Sequence, residues 1–351
     1  MRWPSFLGRF TKQLGIDLGT TNTLVYAKGQ GIVIQESSVV AINKRTGQVI
    51  AVGEDARSMI GKTPPHIQVT RPLTRGIIAD FEVAEKMLKY FFDRVHDDKS
   101  WVVPRPTVVI CVPLDVTEVE RKAVGDAAMN AGAREVLVVE EPIAAAIGAG
   151  LPISDAMGNM IVNIGGGSTE IAVISLNGLV TAKSISIAGD ELNKNIIQYA
   201  RDVFNLLLGE RVAEEIKIAI GSAIDLPEKM ETPMRGRDLL SGLPREIMVN
   251  DAQIREALGR SIKAIVEQIK VILEITPPEL VADIYQRGIV LTGGGALLRG
   301  LDTAISRGTG LPVKVADDPI TAVVRGTGLL LDHPALLSDV AFPATDHVSR
   351  I

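Results

Sequence analysis

Three short glycine turns hold the residue types in this chain best suited to chemistry: Gly19-Thr20-Thr21, Gly165-Gly166-Gly167-Ser168 and Gly293-Gly294-Gly295-Ala296. Each follows an apolar run that reads as a strand. Without a Cβ in the way, backbone N–H groups at such turns can approach phosphate oxygens, and the neighbouring hydroxyls add donors. Asp17 lies just before the first turn, in "LGIDLGTTNT". A carboxylate at a strand end is tolerable beside a hydrated Mg²⁺ that bridges to phosphates. The simpler alternative, a side chain that caps its own turn, stays open. Neither GxxxxGK[ST] nor GxGxxG occurs, so the commonest phosphate-binding motifs are missing.

The elements that must position these residues follow a pattern that runs twice. "GIDLGTTNTLVYAKGQGIVI" reads as strand, glycine turn, strand, turn, strand, and "NMIVNIGGGSTEIAVISLNGLVTAKSISI" repeats it. A polar residue on the first strand of each copy (Asp17, Asn163) precedes a turn with hydroxyls (Thr20 and Thr21; Ser168 and Thr169). Between the copies, "TVVICVP", "TEVERKAVGDAAMNAGA", "EVLVVEEP" and "IAAAIGAG" predict strand, helix, strand, helix, an α/β continuation. The matching order indicates duplicated domains whose turns would grip one polyphosphate, with the third loop, opening a helix, at the nucleoside or its inner phosphate.

Further elements are predicted from periodicity. Val83, Met87, Phe91 and Val95 recur every fourth residue and predict a helix. Thr117 is its successor's expected N-cap, with Glu120 as capping-box partner. "DELNKNIIQYARDVFNLLLG" and "ERVAEEIKIAIGSA" read as helices, and "DLPEKMETPMRGRDLLSGLP" as a polar irregular stretch. Ile254, Leu258, Ile262, Ile265, Ile269 and Ile272 give a long helix one apolar face. The final "SDVAFPATDHVSRI" reads as disordered.

Composition narrows the function. At 351 residues the chain has room for about two domains. A net charge of −5 with dispersed basic residues argues against nucleic acid as a partner. The single cysteine, Cys111, reads as core packing, and one thiol fits a reducing cytoplasm. The four histidines lack ligand spacing, so no zinc site is expected. No apolar run reaches the roughly 18 residues of a membrane span. Near the start, Trp3, Phe6 and Phe10 stand beside Arg2, Arg9 and Lys12. That suits a short interfacial helix, and equally a terminus folded against the body. In "DKSWVVPRP", Trp101 and Val102 form an apolar tip flanked by Lys99 and Arg105, a second candidate membrane contact.

The motifs "IDLGTTNTLVY", "EEPIAAAIGAGLP", "IGGGSTEIAVIS", "AEEIKIAIG", "TPPELVADI" and "LTGGGALLRGLD", in that order, make the chain resemble the actin-like ATPases, and among them the MreB family of bacterial actins. The resemblance covers about 14–333. It implies an α/β, actin-like fold: two duplicated RNase H-like domains, each with a smaller inserted subdomain, and a nucleotide cleft between them. The implied subdomains are IA (12–36, 80–151 and 317–337), IB (37–79), IIA (152–190 and 256–316) and IIB (191–255), with 1–11 as a membrane-binding segment and 338–351 as a disordered tail.

Carried over residue by residue, the resemblance implies that ATP and Mg²⁺ bind here. Asp17, with Asn163, would hold the magnesium through water. Gly19, Thr20, Thr21 and Asn22 would form the first phosphate loop, and Gly165, Gly166, Gly167 and Ser168 the second. Glu141 would position the attacking water. Ala213, Glu214, Glu215, Ile216 and Lys217 would contact ribose and adenine, and Gly293, Gly294, Gly295 and Ala296 the adenosine. The implied partners are further copies of the chain in paired protofilaments, the inner face of the cytoplasmic membrane, transmembrane cell-shape proteins and the wall-synthesis machinery. Family members carry acids where this chain has Asn163 and Asn193, so slow hydrolysis is expected. A nucleotide-binding filament with little hydrolysis and a small-molecule kinase of the same superfamily are the alternatives. A chaperone ATPase would need a further peptide-binding domain.

Overall fold

The computed structural model describes residues 12–95 and 105–344. Trp3, Phe6, Phe10, Trp101 and Val102 lie outside them. The chain forms two compact units. One comprises the residues up to Asp155, Leu176–Gly178 and those from Thr321 onward; the other comprises Ala156–Ser175 and Leu179–Ile320.

The first unit is built on a six-stranded sheet. Its order is Phe342–Pro343, Glu135–Glu140, Thr107–Val112, Gln13–Leu18, Asn22–Ala27 and Gly31–Ser37. Gln13–Leu18 runs parallel to Thr107–Val112 and antiparallel to Asn22–Ala27. The near-continuous apolar run "TVVICV" follows from burial on both faces, as in parallel sheets covered by helices. One cover is the Phe81–Val95 helix, which buries Val83, Met87, Phe91 and Val95. Another is Glu118–Ala131. Thr117 caps it: its hydroxyl accepts from the Glu120 N–H at 3.2 Å, and the Glu120 carboxylate accepts from the Thr117 N–H at 2.8 Å.

The small-residue helix Glu141–Gly148 exists for close approach. It packs on Ala322–Asp332 so tightly that a Cβ on Gly148 would lie 1.8 Å from the Ala322 carbonyl oxygen. A Cβ on Gly326 would lie equally close to the Ala144 oxygen. The Ala322–Asp332 helix also meets the sheet, with Gly328 against the Tyr26 ring and Gly15 against Thr327. A three-stranded sheet of Val40–Asn43, Val49–Val52 and Ile67–Thr70 completes this unit, with the Leu73–Thr74 and Ile77–Ile78 hairpin.

The second unit repeats the plan. Its five-stranded sheet has the order Gly178–Ile185, Thr169–Ser175, Asn159–Ile164, Ile289–Thr292 and Val313–Val315. Here too a first strand is antiparallel to its hairpin partner on one side and parallel to a later strand on the other. The Asp251–Ile275 helix buries all six predicted apolar residues. Each such side chain contributes roughly 1.5–3 kcal/mol when fully buried. Asn250 and Gln253 close its N-terminus as a reciprocal box, both bonds at 3.0 Å.

Three expectations are corrected. The polar stretch around 225–250 contains a hairpin, Glu231–Asp238 with Pro244–Asn250, joined by Leu206–Leu207 into a three-stranded sheet. Its inner face is thin, with Met234 and Val249 as its fully buried apolar side chains, so alternation is hard to read. The predicted helix ending in "NLLLG" stops at Phe204, because Asn205 adopts the left-handed conformation. Finally, the tail is not disordered from 338. Pro334–Val340 is a helix, Phe342 and Pro343 pair with Val138 and Leu137, and Ala344 is buried against Gly125. Residues 345–351 lie outside the described set.

Candidate functional site

Parallel strands present ligands at their carboxyl ends, and the first unit collects its charged candidates there. Asp17 is the penultimate residue of Gln13–Leu18, and Glu141 follows directly on Glu135–Glu140. Between these strands lies Thr107–Val112, carrying Cys111. Burial pushes the Cys111 thiol well above its ordinary range, and the charges of Asp17 and Glu141 push it the same way. Both carboxylates are therefore close to that strand end. Half-buried Asp17 is itself pushed from 3.8 up to about 7 by desolvation. Glu140, the helix N-cap, is also raised by burial, and Arg121 opposes the shift.

The first glycine turn closes when the Gly19 N–H donates to the Asn22 carbonyl at 3.1 Å. A Cβ on Gly19 would sit 2.7 Å from that oxygen, so only glycine fits without displacement. The Ser38 hydroxyl donates to the Gly19 carbonyl at 2.6 Å and pairs with Thr23 at 2.8 Å. Thr20 Oγ1 accepts from the Gly76 N–H at 2.6 Å. The Thr21 hydroxyl oxygen is shut from solvent and has no hydrogen-bond partner among the described residues. Such an orphan is costly unless something else bonds to it.

The second unit closes its turn identically: the Gly165 N–H donates to the Ser168 carbonyl at 3.0 Å. Register equates Asp17, opposite Leu24, with Asn163, opposite Glu170. Asn163 is 1% exposed, and its Oδ1 accepts from the Thr292 hydroxyl at 3.0 Å. The loop is anchored to the first turn of the Gly189–Phe204 helix. The Gly189 and Asp190 N–H groups donate to the Gly165 and Gly166 carbonyls at 3.1 and 2.8 Å. Lys217 donates to the Gly189 carbonyl at 3.0 Å. Burial lowers the Lys217 ammonium below its ordinary value, against the opposing charges of Glu214, Asp190 and Glu210.

The third turn forms a short 3₁₀ stretch, Gly294–Leu297; the following α-helix starts only at Leu301. Gly293 and Gly295 are glycine because they press on Ile164, where a Cβ would fall within 2.3 Å of its atoms. Gly294 faces open space, which leaves its backbone accessible.

On the Glu210–Ile220 helix, Ala213 and Ile216 point into the hydrophobic core, as does Ala296 within the third turn. Glu215 is exposed and pairs with Arg211 at 2.9 Å. Lys217 is the member brought to the second turn. Sequence reasoning passed over Ser38 and Gly76. The signal for Gly76 is a lone glycine between two short apolar runs, which marks a turn.

The residues fit a phosphate-bearing ligand with a hydrated cation. In the first unit the orphaned Thr21 hydroxyl supplies a hydrogen-bonding group beside the Asp17 carboxylate's strand. No group of three or more His, Cys, Asp or Glu able to hold a metal occurs among the described residues. Mg²⁺ needs no such cage, because it keeps its waters and takes one or two carboxylates plus phosphate oxygens.

Two repeated sheets with matching glycine hairpins define an actin-like protein. The fold aligns with the crystal structure of MreB 5 of Spiroplasma citri bound to AMPPNP at TM-score 0.88 and 38% identity, covering 92% of this chain and 96% of that one. The ADP-bound structure of the same protein gives 0.88 and 37%, covering 93% and 98%. The family model described as MreB/Mbl protein matches residues 11–339, and the chain belongs to that family. It is 53% identical to the cell shape-determining protein MreB of Escherichia coli K12 over 93% of this chain and 95% of the relative. It is 48% identical to the cell shape-determining protein Mbl of Bacillus subtilis 168, over 92% and 97%.

Proposed function

We infer that the chain binds ATP with Mg²⁺ and polymerises into membrane-associated filaments on the cytoplasmic side, where they guide wall synthesis and rod shape. The observation that carries this reading is the pair of glycine hairpins closed by the same hydrogen bond, one of them holding an orphaned threonine hydroxyl. Nucleotide binding is further supported by the AMPPNP- and ADP-bound Spiroplasma relative.

In this reading Asp17 holds the water shell of the cation and Thr20, Thr21 and Asn22 bond the phosphates. Gly165 to Ser168 form the second phosphate loop, and Lys217 steadies it. Gly293 to Ala296 form the adenosine loop. Glu141 orients the attacking water. Bound Mg²⁺ supplies charge neutralisation at the phosphates.

Hydrolysis is slow, because Asn163 brings no charge to its strand end and its amide oxygen is already bonded to Thr292. Asn193 adds to this: it is 3% exposed, its Oδ1 lacks a partner among the described residues, and it too is uncharged. The test is sedimentation with Mg-ATP together with phosphate release. Pelleting with ATP, and faster release by an Asn163→Asp variant, are expected. Absence of pelleting removes the filament; release equal in parent and variant removes the explanation for slow turnover.

A further inference from the structure

The turn between Leu73–Thr74 and Ile77–Ile78 joins a hairpin with Leu73 opposite Ile78 and Thr74 opposite Ile77. Its two residues, Arg75 and Gly76, have φ of 55° and 73°. Two left-handed residues in succession define the turn type that favours Asn-Gly, Asp-Gly or Gly-Gly, since a long side chain is strained there. Gly76 is compelled to be glycine: a Cβ would lie 2.4 Å from Pro113 Cγ. Arg75 has no such constraint, and an arginine is a costly choice for shape alone. Strain of this kind points to a use for the side chain.

The turn is fixed to the first phosphate-loop candidate, because the Gly76 N–H donates to Thr20 Oγ1 at 2.6 Å. Bond lengths then put the Arg75 Cα within about 5 Å of that hydroxyl. Having accepted from Gly76, the Thr20 hydroxyl still has its own proton to donate. The Arg75 side chain is exposed, and no hydrogen bond or ion pair engages its guanidinium among the described residues. An uncommitted planar cation is thus tethered within a side chain's length of that hydroxyl.

We propose that Arg75 binds the terminal phosphate of a nucleoside triphosphate, so that this turn distinguishes triphosphate from diphosphate. The proposal rests on the nucleotide-binding reading above. A guanidinium is suited to the task because it offers several N–H donors in a plane matching phosphate oxygens. It also adds positive charge to a chain whose second unit has Asn163 in the register position of Asp17.

The test is calorimetry on the full chain with Mg-AMPPNP and with Mg-ADP, comparing the parent with Arg75→Asn, Arg75→Gly and Arg75→Lys. Asparagine and glycine both accept positive φ, so neither endangers the turn. Thermal melts of both variants should match or exceed the parent. The Asn and Gly variants should bind AMPPNP about tenfold more weakly, with ADP affinity changed less than twofold and a flatter salt dependence for AMPPNP. The Lys variant should fall between them and the parent. An unchanged AMPPNP-to-ADP ratio, or equal loss for both ligands, overturns the role of Arg75 and leaves the nucleotide reading standing. A parent that binds neither ligand overturns both.

Discussion

Replacing Asp17 by asparagine tests whether this carboxylate is kept for a cation at the expense of stability. Desolvation raises its pKa from 3.8 to about 7. Below pH 4 the group is protonated whether the chain is folded or unfolded, and it costs nothing. As pH rises from about 4 to 7 the unfolded chain releases the proton and the folded chain retains it. Stability therefore falls through that window and levels off above it. At 1.36 kcal/mol per pKa step the ceiling is about 4 kcal/mol. Water reaching a half-buried carboxylate screens part of this, leaving an expected cost of about 2 kcal/mol. Asp17→Asn removes the titration. In urea denaturation without nucleotide, the variant should gain on the parent from pH 4.5 to pH 8 by about that amount. Mg-AMPPNP should reverse the order, raising the melting temperature of the parent and barely moving that of the variant. A stability gap that is flat or shrinks as pH rises would refute the desolvation argument.

Other outcomes follow from the packing and the proposed filament. Gly326→Ala drives a methyl into the Ala144 carbonyl; urea denaturation should show a loss of about 3 kcal/mol or failure to fold. Thr117→Ala removes the hydroxyl from a complete capping box and should cost about 1 kcal/mol in the same assay. The pair Trp101→Ser and Val102→Ser should weaken liposome flotation of ATP-assembled protein, with soluble assembly unchanged. Unaltered flotation removes those two residues as a membrane contact.

How much the sequence disclosed depended on how each residue makes its contacts. The Asp251–Ile275 helix was readable because six apolar residues fall on one face, and the Thr117 box because its two partners are three residues apart. The duplication was readable because each hairpin carries its whole signal in about ten residues. The Glu231–Asp238 hairpin was not, since its strands bury few apolar side chains and their outward charges mask the alternation. Phe342 and Pro343 read as tail because their partner strand lies some 200 residues earlier, beyond any local pattern. At the candidate site, the glycines and Asp17 declare themselves by type. The roles of Ser38, Gly76 and Lys217 come from bonds to distant backbone atoms, and a linear reading does not contain those.

The fit of Gly148 against Ala322, and of Gly326 against Ala144, also fixes an order of events at the ribosome. The unit that holds Asp17 is assembled from both ends of the chain, whereas the other is contained between 156 and 320. During synthesis the later-encoded unit can therefore finish first. The opening strands must wait for the Ala322–Asp332 helix to emerge before their sheet acquires that cover. A premature stop directly after Ile320 would leave a complete second unit attached to a first that lacks its closing helix.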